Sequence, residues 1–319
     1  MSAGANPLVS AVIPTYNYGQ FVAEAVESAL AQTYSPLEVV VVDDGSTDDT
    51  AERLQPYRGR IRYLYQENRG LSGARNAGIR AARGEYVALL DSDDAWKPEK
   101  ITAQMSLAVA HGYQAVVCWS EWPKGATEEL RFEDCFFSGP GFGSTAVIRK
   151  SLFNEVGEFD ETLRSVEDRD MMLRLTRGGR KIGVLVGDYV TIREHPGNMS
   201  KNAATMERNF LRVLEKAFGW SEARRRYVLK AMAYSNACLD CSWAYFVQGE
   251  RRKALRRLLK SCCLFPLPSR ERFRPIRFVR PKLLLRYLLG HRLQGSSRSG
   301  AMRAASAGAE SNRGGSVGR

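Results

Sequence analysis

Short runs of acidic residues are the part of this sequence best suited to chemistry. Asp91-Ser92-Asp93 sets two carboxylates two positions apart, directly after the apolar run 86–90. Carboxylate oxygens are hard ligands, so such a pair suits Mg2+ or Mn2+, and a divalent ion held there can neutralise a departing diphosphate. Asp43-Asp44-Gly45-Ser46 follows a second apolar run, and an aspartate so placed can accept hydrogen bonds from a base N–H or a sugar hydroxyl. Tyr16, just beyond a third run, could stack on a base. Arg75, in Ala74-Arg75-Asn76, could make charge-assisted bonds to a diphosphate. Glu167 and Asp168 are adjacent, so on a helix their side chains diverge by about 100° and only one can face a given substrate. The preferred one, Asp168, could take the proton of an attacking hydroxyl. His195, in a polar loop, could add a third metal ligand.

Each of these residues also has a plainer reading. Asp91 to Asp94 could cap a strand–helix turn, and Asp43 to Thr47 could be an ordinary turn and N-cap. Tyr16 could be a partly buried loop aromatic and Arg75 a solvated helix charge. Glu167 and Asp168 could simply be the acidic residues that a helix start favours, and His195 an unremarkable loop histidine.

What favours chemistry is where the elements put these residues. Segments 9–13, 37–42, 86–90 and 114–119 read as buried strands, and Ile61, Tyr63 and Tyr65 alternate as a strand does. Between them, segments 21–32, 71–82 and 98–111 carry helical patterns, and Ser46 and Thr47 could cap a further helix through Leu54. Strands alternating with helices of this length predict an α/β fold, a mostly parallel sheet with helices on both faces. Ligands of such sheets bind beyond the carboxyl ends of the strands. Thr15-Tyr16-Asn17, Asp43-Asp44-Gly45-Ser46 and Asp91-Ser92-Asp93-Asp94 fall at three of those ends.

Further along, 144–148, 182–186 and 189–192 read as strands and 166–177 as a helix opening on the acidic pair. From about residue 202 the chain is helical, with a hairpin of 227–247 and 250–259 turning at Gly249. The expected division is residues 1–220 as the substrate-handling domain, 221–293 as a basic helical appendage, and 294–319, rich in Gly, Ser, Ala and Arg, as a disordered tail.

With 319 residues and 44% hydrophobic content the chain can bury a sizeable core. No apolar run approaches the roughly 18 residues of a membrane span, and the start lacks the basic and apolar regions of a secretory signal. The six cysteines do not form a disulfide framework, and Cys238 and Cys241 sit in an apolar helical pattern as core residues, which suits a reducing cytoplasm. From Ser221 to Arg319, 22 basic residues stand against 5 acidic, net +17, whereas the whole chain is +12. The C-terminal third therefore wants an anionic partner, and the interleaving of its basic residues with leucines suits the inner face of an anionic membrane.

Taken together, Val12-Ile13-Pro14-Thr15-Tyr16-Asn17, Val42-Asp43-Asp44-Gly45-Ser46, Asn68-Arg69-Gly70 with Ala74-Arg75-Asn76, Leu90-Asp91-Ser92-Asp93-Asp94, Glu167-Asp168 and His195-Pro196-Gly197 resemble glycosyltransferase family 2, of GT-A fold. The resemblance covers roughly the first 200 residues. It implies inverting, metal-dependent transfer of a sugar from a nucleotide diphosphate donor, a UDP-sugar, to a saccharide or lipid-linked saccharide acceptor in bacterial surface polysaccharide or glycolipid synthesis. Asp168 would be the base, Asp93 and His195 would hold Mn2+ or Mg2+, Asp91 and Ser92 would approach the ribose, and Pro14, Thr15, Tyr16 and Asp44 would hold the base of the nucleotide, with Arg75 nearby.

Three other readings compete. A sugar-nucleotide pyrophosphorylase would need a Gly-rich phosphate loop with a basic residue, and residues 14–20 hold only Gly19 and no Lys or Arg. A non-catalytic sugar- or lipid-binding protein on the same fold is the main alternative, and the presence of both acidic motifs counts against it. Nucleic-acid binding through the basic third lacks any helix-turn-helix, finger or RNA-binding signature, so no nucleic-acid partner is expected.

Overall fold

Strand β1 (Val9–Thr15) is buried at every position because both of its faces are covered. The computed structural model describes residues 6–120, 128–137, 142–193, 195, 202–266, 270–271, 274–275 and 279–289. On one face of β1, Val9, Ala11 and Ile13 join a core with Val22, Ala25, Val26 and Ala29 of α1 (Gly19–Leu30) and Ile101 and Met105 of α4 (Lys100–His111). On the other face α3 (Gly70–Ala81) presses its Gly78 against the sheet, where a Cβ would come within 2.3 Å of Val12 Cγ1 and 3.2 Å of Val42 Cγ2. The two-residue period of the strand thus sends alternate side chains to opposite helix layers.

The sheet has eight strands in the order β3 (Arg62–Tyr65), β2 (Leu37–Asp43), β1, β4 (Tyr86–Leu89), β8 (Ala146–Arg149), β6 (Ala115–Trp119), β9 (Ile182–Val186) and β7 (Glu129–Leu130). β1, β2, β3 and β4 are mutually parallel, as are β6 and β9. β8 runs antiparallel between β4 and β6, and β7 runs antiparallel on the edge. The mostly parallel α/β sheet expected from the sequence is therefore present, with two reversed strands. Register aligns the carboxyl ends: Thr15 lies across from Asp43, and Asp43 across from Tyr65. A small antiparallel pair, β5 (Ala95–Trp96) with β10 (Val190–Thr191), adds to the same end.

One local expectation fails. The helix after β2 is only α2 (Thr50–Arg53), with Asp49 at its N-cap, and neither Ser46 nor Thr47 caps it. Their polar groups are used by the neighbouring loop: Asn17 N–H donates to Ser46 Oγ at 3.0 Å, and Thr47 N–H donates to Asn17 Oδ1 at 2.8 Å. Two further helices, α5 (Ser151–Val156) and α6 (Glu167–Thr176), precede β9.

The chain forms two compact units, residues 1–193 with 212–226, and residues 194–211 with 227–319. Helix α7 (Ala203–Gly219) contributes a segment to each. The second unit is helical, with α8 (Tyr227–Val247), α9 (Arg251–Leu264) and α10 (Val279–Leu289). α8 and α9 form the expected hairpin, turning at Gly249 with φ +81°, a conformation glycine adopts freely. Leu239, Cys241, Trp243, Tyr245, Ala254, Leu258, Leu283 and Tyr287 make its core. Cys238 and Cys241 are buried free thiols. Among the described residues no helix is long and apolar enough to cross a membrane. The expected tail 294–319 lies outside the described residues.

Candidate active site

Hydrogen bonds fix the loops at the carboxyl ends of β1 and β2 to each other and to α3. Asp43 accepts from Ser46 N–H (2.8 Å) and from Tyr63 Oη (2.6 Å). Asp44 Oδ1 accepts from Gln66 Nε2 at 2.6 Å and Arg69 N–H at 2.9 Å, and Oδ2 accepts from Gly70 N–H at 2.7 Å. Its carboxylate thus sits at the first turn of α3, where the helix dipole favours negative charge. Asp48 holds Gly19 N–H at 3.0 Å at the start of α1. Pro14 and Thr15 are buried at the end of β1, and Thr15 Oγ1 has no partner among the described residues. Tyr16 beside them is 45% exposed.

The end of β4 carries the acidic run. Asp91 is part-exposed, Ser92 is buried, and Asp93 is half-buried. Ser144 ties the run down: its Oγ donates to Asp94 Oδ2 at 2.5 Å and accepts from Asp91 N–H at 3.0 Å. Asp94 also accepts from Arg193 N–H at 3.0 Å. Burial, then the charge of Asp91, push the Asp94 carboxyl up to about 7 against the pull of those bonds. Burial and the charges of Asp93 and Asp91 likewise raise the Tyr18 phenol, which puts Tyr18 beside the run.

Arg75 joins this run to the second acidic motif. Its Nη2 meets Asp91 Oδ1 at 2.7 Å and its Nη1 meets Glu167 Oε1 at 2.8 Å, with the side chain 2% exposed. Burial alone would lower its pKa; Asp91 and Glu167 reverse that and raise it, so the guanidinium stays charged. Burial raises the Glu167 carboxyl while Arg75 pulls it down. Gly143 closes over the pair, since a Cβ there would fall 2.3 Å from Asp91 Oδ2 and 2.8 Å from Arg75 Nη2.

Glu167 opens α6 and points inward, leaving the adjacent Asp168 half-buried, with Oδ1 accepting Arg169 N–H at 2.7 Å. The residue before them, Val166, has φ +65°, a left-handed conformation that is costly for a β-branched side chain.

The structure thus brings Asp91, Arg75, Glu167 and Asp168 together and sets Pro14, Thr15, Tyr16, Asp44, Ser92 and Asp93 on the same strand ends. Tyr18, Tyr63, Gly143 and Ser144 are additions that no local sequence pattern signals. His195 is half-buried and belongs to the second compact unit; Pro196 and Gly197 lie outside the described residues.

Among the described residues no three His, Cys, Asp or Glu side chains converge as a complete metal cage. The donor set still suits a hard divalent ion. Asp93 could offer carboxylate oxygens beside Asp91 in a site with excess negative charge, and Mg2+-type sites commonly use one or two carboxylates and leave the rest to phosphate oxygens and water.

A sequence profile described as glycosyl transferase family 2 matches residues 10–170. An uncharacterized glycosyltransferase of Rickettsia prowazekii is 34% identical over 189 residues, covering 54% of this chain and 59% of that protein. Chondroitin synthase of Escherichia coli is 28% identical over 262 residues, covering 74% of this chain but 36% of that protein. Among solved structures, the mannosyltransferase PcManGT from Pyrobaculum calidifontis, in complex with GDP-Man and Mn2+, superposes with a TM-score of 0.60 at 19% identity, covering 97% of this chain and 82% of that one. TarS residues 1–349 of S. aureus, in complex with UDP-GlcNAc, superpose with a TM-score of 0.55 at 19% identity, covering 82% and 93%. These likenesses share the GT-A arrangement of strands and helices. With the profile covering half of the chain, from β1 through the acidic run to the start of α6, the chain belongs to glycosyl transferase family 2.

Proposed function

We propose that this protein is an inverting glycosyltransferase that moves a sugar from a nucleoside diphosphate donor, a UDP-sugar, to an acceptor hydroxyl with the help of Mn2+ or Mg2+. The observation that carries this reading is the buried Arg75 linking Asp91, at the donor end of β4, to Glu167, next to Asp168. Asp168 takes the proton of the acceptor hydroxyl. The hydroxyl oxygen forms its bond to the anomeric carbon on the face opposite the diphosphate, the bond from that carbon to the diphosphate oxygen breaks, and the nucleoside diphosphate leaves. Asp93 would hold the cation, which when bound neutralises the leaving diphosphate. Asp91 and Ser92 face the ribose, Tyr16 stacks on the uracil, Pro14 and Thr15 border it, and Asp44 shapes the loop that carries it.

The glycosyltransferase names of the relatives support transfer, and the chondroitin synthase among them accords with a saccharide or lipid-linked saccharide acceptor, which on this reading belongs to bacterial surface polysaccharide or glycolipid synthesis on the cytoplasmic side. The test is a panel of UDP- and GDP-sugars with and without Mn2+, using wild type and Asp168→Asn. A UDP-sugar should be consumed only with the cation, giving product of opposite anomeric configuration. Asp168→Asn should bind UDP as wild type does and turn over about two to four orders of magnitude more slowly. No nucleotide sugar bound by wild type would overturn the function, and undiminished turnover by the variant would overturn the base.

A further inference from the structure

The second unit presents a basic face with leucines set into it. On α9 the buried positions are Ala254, Leu258 and Ser261, one stripe of the helix. The opposite stripe is Arg252, Arg256, Leu259, Lys260 and Cys263, all exposed, with Leu259 51% exposed. Arg252, Arg256 and Lys260 make no ion pair among the described residues, unlike Lys253 and Arg257, which pair with Glu250 and Glu207. α10 packs on α9 in the same unit, with Leu283 and Tyr287 turned into the core. Its Leu284 and Leu285 stay at the surface, Leu285 59% exposed, beside exposed Lys282. Between Arg251 and Leu289 the sequence holds thirteen Lys and Arg and one acidic residue, Glu271.

Two features narrow the partner. Unpaired cations aligned on one face need an extended anionic surface rather than a single carboxylate. Leucines exposed within that face gain nothing from a nucleic-acid backbone but gain by entering the boundary between lipid headgroups and acyl chains. We propose that the exposed faces of α9 and α10 dock this protein on an anionic lipid surface, the cations on the headgroups and Leu259, Leu284 and Leu285 at the acyl boundary. This stands apart from the transfer reading, although a lipid-linked acceptor would be presented on such a surface.

The test is vesicle flotation of the full chain on phosphatidylcholine alone and on phosphatidylcholine with phosphatidylglycerol, at low and high NaCl. Wild type should float with the anionic vesicles and be released by salt, because exposed charges are screened. Arg252→Gln/Arg256→Gln/Lys260→Gln should lower partitioning roughly a hundredfold, since each basic residue near such a surface contributes about a fivefold factor. Leu259→Ser/Leu285→Ser should weaken binding while leaving it salt-sensitive. Circular dichroism checks that the variants fold, as expected for exposed positions. Equal flotation of wild type and the triple variant overturns the proposal, as does no flotation. Salt-sensitive binding to duplex DNA without binding to vesicles overturns it in favour of nucleic acid. Loss of UDP binding by every form would count against the transfer reading alone.

Discussion

Arg75 shows how far a residue's surroundings can depart from its local pattern. In the sequence it sits in a helical stretch as a solvated charge or a diphosphate contact. In the fold it is sealed by Gly143 and lies with its guanidinium 5.3 Å from the Phe159 ring centroid. Its partners Asp91 and Glu167 are 16 and 92 residues away, so no local periodicity could reveal them. Arg75→Met leaves the buried Glu167 without its counter-charge, a loss of about 3–5 kcal/mol, measurable by urea unfolding. Arg75→Lys restores charge but not a planar fork able to reach both carboxylates, so it should recover stability more than turnover. A methionine variant as stable as wild type would show that the bridge contributes nothing to stability. The acidic runs, by contrast, were legible because an aspartate pair at the end of an apolar run is a local signal. Asp93→Ala removes a loop carboxylate at little cost in stability and should abolish Mn2+-dependent UDP affinity in titration calorimetry; unchanged affinity would take the cation away from Asp93.

Elements were legible where burial imposes a period. β1 and β2 are largely apolar because α1 packs on one side of them and α3 on the other, and α1 and α3 show their inward stripes. The two-residue β5 and β10 are too short to carry a period, and the reversed direction of β8 is set by its neighbours β4 and β6 rather than by its own residues. Helix α4 hides a charge that the pattern did not foretell. Lys100 is fully buried, its Nζ 2.7 Å from Gln104 Oε1 and 4.2 Å from the Trp96 ring centroid. Burial lowers its pKa to about 8. A folded-state value below the unfolded one means that the charged amine costs stability below pH 8, and that the cost is relieved as pH rises through 8 toward the unfolded value. Relative to Lys100→Met, wild type should therefore gain about 2 kcal/mol between pH 7 and pH 10 in denaturant titrations. A difference that stays flat with pH would show the amine to be hydrated, titrating in the folded state as it does in the unfolded chain.

Two units with separate cores predict two unfolding transitions at the scale of the whole chain. UDP with Mn2+ binds the first unit in the proposed function, so a hundredfold excess over Kd should stabilise that transition by about 2.7 kcal/mol and leave the other in place. Leu258→Ala, which opens the second core, should lower only the other, by about 2–5 kcal/mol. Calorimetry reads both at once, and a single transition moved by either change would contradict separate cooperative units.

The unpaired cations of α9 have one more consequence. With net +17 gathered after Trp220 in a chain of +12, the remainder is left acidic, and the molecule is a macroscopic zwitterion. In dilute buffer the helices of one copy attract the carboxylate-rich strand ends of another, and added salt loosens that attraction before it does anything else. Solubility should therefore pass through a minimum at low ionic strength and recover on salting in. The chain should also be retained by anion and cation exchangers alike, whatever its average isoelectric point suggests.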